Sequence, residues 1–483
     1  MRSFPFARRS SGPLVQPAPL TQAPPTGAGQ EGRAARWFLY SAVFWLVVPG
    51  VAGLLMAAFL FAPYLHERLP LDLRPYLQFG RLRPVHVNTA LFGWLSMAYA
   101  GAMLFIVPRL TRAPLYSERL ALVNVVLWNV TMVGAFFSLL LGFNQGREYA
   151  ELAWPLDWLM IANYLLLAVN LWGTTLRRRE PRVYISVWNF MAASLIIAFV
   201  YGIGNVVWDP AGALTGMNDA ILNYFYVHNL FNAWFTTGGI GLVYYLLPKL
   251  SGNPVWSYRL AVWGFASVWT GQHHLLYAPG PDWLEALSVA FSILAAVPNT
   301  AFAYNFFMTM QGAWSKARSD VPLRFLATGC IFYLLTCIQG VAQSFRTFNS
   351  LVHFTNWVIG HSHLAFVASF SFIAFALVYH ILPRLQGSSA GAFSRRVMEW
   401  HYWLTLVGIV VFMVVLWTAG LVQGRDWLAG GVPFMDTVRA MRPYMLLRLL
   451  AGGTIGAGVL LFAYNVARTL RSAPKPAPPR ERR

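Results

Sequence analysis

Charge is what this chain has least of. Only 11% of its 483 residues are Asp, Glu, Lys or Arg, against roughly 25% in an ordinary soluble domain, while 57% are hydrophobic. Its seventeen acidic residues fall in or near predicted loops and tails, so no acid lies deep in a long apolar run. Cysteine is nearly absent. Cys330 and Cys337 are seven apart on one predicted helix, about 10 Å along its axis, which exceeds the reach of a disulfide. No C-x-x-C-H stretch occurs, so the chain cannot hold a c-type heme covalently, and no copper-thiolate motif is present. Residues 1–36, rich in Pro, Ala and Arg, lack the apolar core of a cleaved signal. Arg8-Arg9 is not promptly followed by an apolar run, and no internal repeat is evident.

Long apolar runs fill the remainder. About 20 apolar residues cross a bilayer as helix, and twelve such stretches occur, at 37–63, 85–107, 120–143, 154–176, 184–206, 221–247, 258–277, 283–310, 322–345, 356–383, 400–422 and 443–470. The expected fold is all-α: one polytopic membrane domain of twelve transmembrane helices over 37–470, between basic, disordered tails at 1–36 and 471–483. The net charge of +19 is spread over alternate loops (PRLTR, RRREPR, PKLSGNPVWSYR, KARSDVPLR, PRLQGSSAGAFSRR) and both tails. Lys and Arg gather on the cytoplasmic side of membrane proteins. This places both termini in the cytoplasm and makes the bilayer, rather than nucleic acid, the partner of the positive charge.

Six of the ten histidines share one depth, the outer third of the membrane. His86 begins the second helix, His228 lies early in the sixth, His273 and His274 end the seventh, and His361 and His363 lie early in the tenth. Ionisable groups inside a membrane usually mark function, and clustered imidazoles point to iron or copper. His361 and His363 are about 200° apart around their helix and so face two different cofactors. His273 and His274 are about 100° apart at a helix end and can converge, with His228, on one ion. His86 pairs with one of the helix-10 histidines to close a six-coordinate heme, leaving the other for a five-coordinate heme facing the ion. A plain electron-transfer cytochrome b leaves the histidine doublet without purpose, and a histidine-lined transporter predicts no heme.

The stretches GRLRPVHVNTALFGW, HNLFNAWFTTGGIGLVYYLLPK, HHLLYAPGPDW, LVHFTNWVIGHSHLAF, QGREYAELAWPLDW and PYMLLRLLAGGTIGAGVLLFAYNVAR resemble the catalytic subunit of heme-copper oxidoreductases. The branch is that of cbb3-type cytochrome c oxidases and nitric oxide reductases, and the resemblance covers roughly 37–470. It implies that His86 and His363 ligate a low-spin heme b and that His361 is proximal ligand to a high-spin heme. His228, His273 and His274 then hold a non-heme metal, iron or copper. It also places Arg83 and His353 beside the heme propionates, with Glu148 and Glu151 near them as acids where calcium can bind. His380 and His401 read as structural, and His66 receives no role. A short path through His361–Ser362–His363 links the hemes.

The substrate expectation rests on departures from that pattern. Oxygen reductases of this kind need a tyrosine beside the metal to supply an electron and a proton as the O–O bond breaks. Its two familial positions are Ser267 and Asn232 here. Nitric oxide reductases carry a glutamate at the position of Asn232, which shares a helix face with His228 and can point its amide at the metal. A second glutamate on helix 8 is missing, since VAFSILAAVPNT holds no acid. Reduction of nitric oxide to nitrous oxide needs no O–O scission. The sequence expectation is therefore a nitric oxide reductase in a bacterial inner membrane, with a cbb3-type oxidase reducing dioxygen to water as the alternative. Electrons must come from a partner, expected as a membrane-anchored cytochrome c or another donor subunit.

Overall fold

The computed structural model describes residues 32–263, 272–387 and 392–471, and no strand occurs among them. Eleven helices are long and apolar enough to cross a membrane. They are α1 (Arg33–Phe61), α2 (Phe79–Thr111), α3 (Glu118–Leu141), α4 (Trp154–Leu176), α5 (Ile185–Gly204), α6 (Met217–Ser251), α8 (Asp282–Thr309), α9 (Val321–Ser344), α10 (Asn356–Leu385), α11 (Arg395–Ala429) and α12 (Arg442–Leu470). Between α6 and α8 the seventh expected crossing, α7, is described at its ends, as helix Tyr258–Trp263 and a 3₁₀ turn Gln272–Leu275. The structure is thus consistent with twelve helices. The tails expected to be disordered lie almost wholly outside the described residues, although α1 already begins at Arg33. Cys330 and Cys337 are both free, on α9.

Local signals mark the helix ends. Ser117 accepts from the Leu120 N–H and Asp320 from the Leu323 N–H, each capping the N-terminus of a helix. Gly142 and Gly252, at φ 94° and 86°, end α3 and α6 in the left-handed conformation that glycine adopts without strain. The wide apolar surfaces of the outer helices face lipid, where they need no further partner.

Three helices form the inside of the bundle. In α2, α6 and α10 the most apolar stretch is 94%, 83% and 89% buried, against 22% to 56% in the other crossings. All three are built alike. Each carries histidine in its N-terminal part, a π-helical segment next (Thr89–Leu95, Leu230–Thr236, Leu364–Ser371), and a Pro–basic–Leu sequence at its C-terminal end (Pro108, Pro248, Pro383). A π-turn widens the backbone by one residue and leaves carbonyls poorly paired. Here a hydroxyl reaches five residues back in every case: Ser96 to the Leu91 carbonyl, Thr237 to Asn232 and Ser371 to Phe366, at 2.7, 2.9 and 2.7 Å. The same hydroxyls tie the helices together. Ser96 accepts from the Trp234 indole and Ser371 from the Trp94 indole, both at 2.9 Å. The chain therefore holds a recurring unit where no repeat was evident in its sequence.

Candidate metal centre

His228 on α6 meets His273 and His274 of the 3₁₀ turn, and one ligand nitrogen from each lies within 4.8 Å of the other two. Three imidazoles on one ion at about 2.0 Å have nitrogens roughly 3.3 Å apart, so small side-chain rotations close the cluster on a metal. The His273 tautomer follows from its partner. Ser292 Oγ donates its single hydrogen to the Ser288 carbonyl and lies 2.8 Å from His273 Nδ1. The imidazole must then donate from Nδ1, leaving the Nε2 lone pair for a metal. Ser288 Oγ in turn accepts the His273 backbone N–H at 2.8 Å, so α8 fixes both the backbone and the ring of this residue. The ring of Tyr224, one turn before His228 on α6, stacks on His274 with centroids 5.6 Å apart.

His86 on α2 and His363 on α10 face each other nearly parallel, 21° apart, with ring centroids separated by 6.0 Å. That is too wide for rings in contact. Two imidazoles bound to one iron at about 2.0 Å place their centroids roughly 6 Å apart, so the pair is spaced for a six-coordinate heme. Both Nδ1 atoms lie against backbone carbonyls, His86 on Pro49 at 2.7 Å and His363 on Ile359 at 2.8 Å. Each ring therefore donates from Nδ1 and keeps Nε2 for a ligand. The seat of His86 is built by α1. Gly53 stands one turn beyond Pro49, and a Cβ there would come within 2.9 Å of His86 Cε1. Only glycine lets the ring approach this closely.

His361 points away from that pair. Its Nδ1 lies 3.1 Å from the Gln339 amide oxygen on α9, and His273 and His274 are within its electrostatic reach. The two-residue spacing thus divides the helix-10 histidines between two locations, as their angular separation requires.

One turn before His86 on α2, Arg83 donates to Glu148 at 2.5 Å and lies 3.7 Å from Glu151. The Asn88 amide donates to Glu151 Oε2 at 3.0 Å, while Glu151 Oε1 has no hydrogen-bond partner. Glu151 is 3% exposed, and burial first, then neighbouring Glu148, pushes its carboxyl up to about 7 against the opposing pull of Asn88 and Arg83. Tyr149 between the two acids has a φ of 56°, and its carbonyl takes the Tyr226 hydroxyl at 2.9 Å. His353 lies beside Phe354 with ring centroids 4.0 Å apart. It stands outside the three-imidazole cluster but within electrostatic reach of His274.

Asn232 falls in the π-segment of α6, where its carbonyl receives the Thr237 hydroxyl. Ser267, the other position weighed for the substrate, lies outside the described residues. His401 sits in a cage of Phe325, Phe375 and Phe462 with its Nδ1 3.0 Å from the Tyr379 hydroxyl. Several residues at the centre escaped the sequence reading: Pro49, Gly53, Ser288, Ser292, Gln339 and Tyr224. They look like ordinary helix residues until the helices are assembled.

The chain matches the family described as cytochrome c and quinol oxidase polypeptide I over residues 33–475. It is 32% identical over 469 residues to a cbb3-type cytochrome c oxidase subunit CcoN1 from Stutzerimonas stutzeri, covering 94% of this chain and 97% of that one. A nitric oxide reductase chain from the same organism is 24% identical, over 81% of this chain and 86% of that one. A heme-copper terminal oxidase dimer solved by cryo-electron microscopy shares the fold, with a TM-score of 0.75 at 15% identity over 92% of this chain and 85% of that one. These similarities correct the sequence expectation. They favour the oxidase alternative over nitric oxide reduction, because the whole-chain likeness to the oxidase outweighs two substituted positions.

Proposed function

The chain belongs to the cytochrome c and quinol oxidase polypeptide I family, and from that premise we propose that it is the catalytic subunit of a cbb3-type oxidase reducing dioxygen to water. The balance is O2 + 4 e⁻ + 4 H⁺ → 2 H2O. One observation carries the reading: a histidine pair spaced for a six-coordinate iron adjoins a three-imidazole cluster, with His361 and His363 on one short helix joining them. Family membership implies hemes and a copper centre. When bound, these supply electron transfer and the open coordination sites on which a diatomic gas is taken up and reduced.

In this reading His86 and His363 hold the low-spin heme b, and His361 holds the high-spin heme. His228, His273 and His274 hold copper. Ser292 and Gln339 fix the ring orientation of His273 and His361. Arg83 offsets propionate charge at the outer rim, near His353. The oxygens of Glu148 and Glu151 Oε1, which accepts no hydrogen bond, are of the kind that calcium takes. The ring stacked on His274 is that of Tyr224, a phenol of the kind that could give an electron and a proton to a gas bound nearby.

Electrons enter from a membrane-anchored cytochrome c subunit, since this chain carries no c-type heme motif. Twelve crossings put both termini on one side, and the basic loops assign that side to the cytoplasm of a bacterial inner membrane. The test is turnover of the purified complex on both gases together with metal analysis. Copper with sustained four-electron oxygen consumption is expected. Iron in the three-histidine cluster with faster nitric oxide turnover would overturn the reading.

A further inference from the structure

The three inner helices end alike, on Pro108–Arg109–Leu110, Pro248–Lys249–Leu250 and Pro383–Arg384–Leu385, and their C-terminal halves pack pairwise on one another. Three cations are thereby brought to one place. Arg109 and Arg384 both lie within electrostatic reach of Lys249 and of the Tyr245 hydroxyl. The Lys249 ammonium stands 4.8 Å from the centre of the Tyr245 ring, and that ring meets His380 edge-on with centroids 6.4 Å apart. Arg384 donates to the His380 carbonyl, and Arg109 to the Phe105 carbonyl at 2.7 Å.

A cation at a helix C-terminus has a plain role in capping it. Each terminus, however, carries only roughly half a negative charge, so a full positive charge exceeds what its own helix needs. The carboxylates described at this end serve other groups. Glu118 accepts from the Ala34 N–H, Glu180 pairs with Arg112, Asp320 caps Leu323 and Glu399 pairs with Arg324. Among the described residues no carboxylate forms a salt bridge with Lys249 or Arg384. One turn before Arg384, His380 is 5% exposed, and its Nε2 is sealed in without a hydrogen-bond partner. It lies within electrostatic reach of both Arg384 and Lys249. A buried polar atom normally has a partner, and beside clustered cations an oxyanion supplies one.

We propose that Lys249 and Arg384, with Arg109 and the His380 imidazole, bind a phosphate-bearing anion at the end of the bundle away from the metal centre. A tetrahedral phosphate offers oxygens on every side. A guanidinium takes two of them in parallel, while an ammonium holds another as a point charge. The exposed side chains of Lys249 and Arg384 leave the entrance open.

The test is calorimetric titration of the purified complex with inorganic phosphate, in nanodiscs of phosphatidylcholine alone and at fixed ionic strength. Saturable binding is expected in the wild type and in Lys249→Arg. In Lys249→Gln and in Arg384→Gln it should weaken on the order of tenfold, the cost of one charge-assisted hydrogen bond, with heme spectra unchanged. Arg112→Gln, which removes a charge paired with Glu180 from the same end, should bind as the wild type does. A lipid source of the phosphate gives a different result. Inorganic phosphate then fails to bind, while phosphatidylglycerol is retained in native mass spectra of the wild type and lost from the Lys249→Gln, Arg384→Gln double variant. Binding of neither ligand would overturn the proposal. So would an equal weakening in Arg112→Gln, which would report only the positive field of the whole face.

Discussion

Replacing Gly53 by alanine tests how tightly α1 seats His86, the proposed low-spin heme ligand. The added Cβ would stand 2.9 Å from Cε1 and 3.0 Å from Nδ1 of His86. Ordinary carbon contacts begin at about 3.5 Å, so the ring must retreat from α1 by roughly 0.6 Å. Because the Pro49 carbonyl belongs to the same helix, that retreat stretches the 2.7 Å bond from His86 Nδ1 to about 3.3 Å, beyond the usual range. Loss of such a bond costs about 1 kcal/mol, and loss of an outer partner to a metal-binding histidine weakens metal binding by roughly 10–100-fold. The expected result is a loss of the six-coordinate low-spin signal in optical and paramagnetic resonance spectra, with the five-coordinate heme retained. Gly50, on the same helix, meets nothing within 4 Å of an added Cβ. Gly50→Ala is therefore the control, with an unchanged spectrum and a helix stabilised by about 0.5–1 kcal/mol. Identical low-spin occupancy in both variants would refute the seat.

The other expectations address the remaining groups. Ser292→Ala removes the acceptor of the His273 Nδ1 proton and should lower occupancy of the three-histidine metal, read by metal analysis, by roughly 10–100-fold in affinity; an unchanged metal content would show that Ser292 only packs. Tyr224→Phe keeps the ring on His274 but removes the phenol, so oxygen turnover should fall by about 100-fold with heme content unchanged, whereas full turnover would leave Tyr224 a packing residue. Glu151 has its pKa raised from 4.5 to about 7, so the native state holds its proton more tightly than the unfolded state. Its contribution to stability is fully present below about 4.5 and is lost as pH rises through about 7, on the order of 3 kcal/mol. Unfolding midpoints of the wild type and Glu151→Gln across that window should diverge by this dependence, and parallel curves would rule it out.

The fold was largely legible because each crossing needs a long apolar run, and twelve such runs stand out against polar loops. The shared depth of His86, His228, His273, His274, His361 and His363 was legible for the same reason: position along a helix sets position across the membrane. Orientation within a layer was less so. Nothing in VAFSILAAVPNT announced that Ser292 would fix the tautomer of His273, because a serine bonded to its own helix looks the same as one that also serves a neighbour. Gln339 and Gly53 act across helix interfaces that only assembly creates. The choice of gas leaned on what was missing at Ser267 and Asn232. A missing phenol at two places says little beside a likeness to an oxidase that runs the length of the chain.

The three wide turns of α2, α6 and α10 have a consequence for the rotational phase of the redox centres. One residue of helix is about 100° of rotation. Each π-segment takes in an extra residue between the histidine on its N-terminal side and the Pro–basic–Leu anchor on its C-terminal side. A continuous α-helix of the same ends would therefore aim His86, His228 or His361 about 100° away from its present direction. Deleting one residue from any of these segments would straighten the helix and leave the bundle intact at both faces, but swing the imidazole off its partners. The aim of the ligands is thus held from the middle of the membrane, by the hydroxyls of Ser96, Thr237 and Ser371 that keep these turns open.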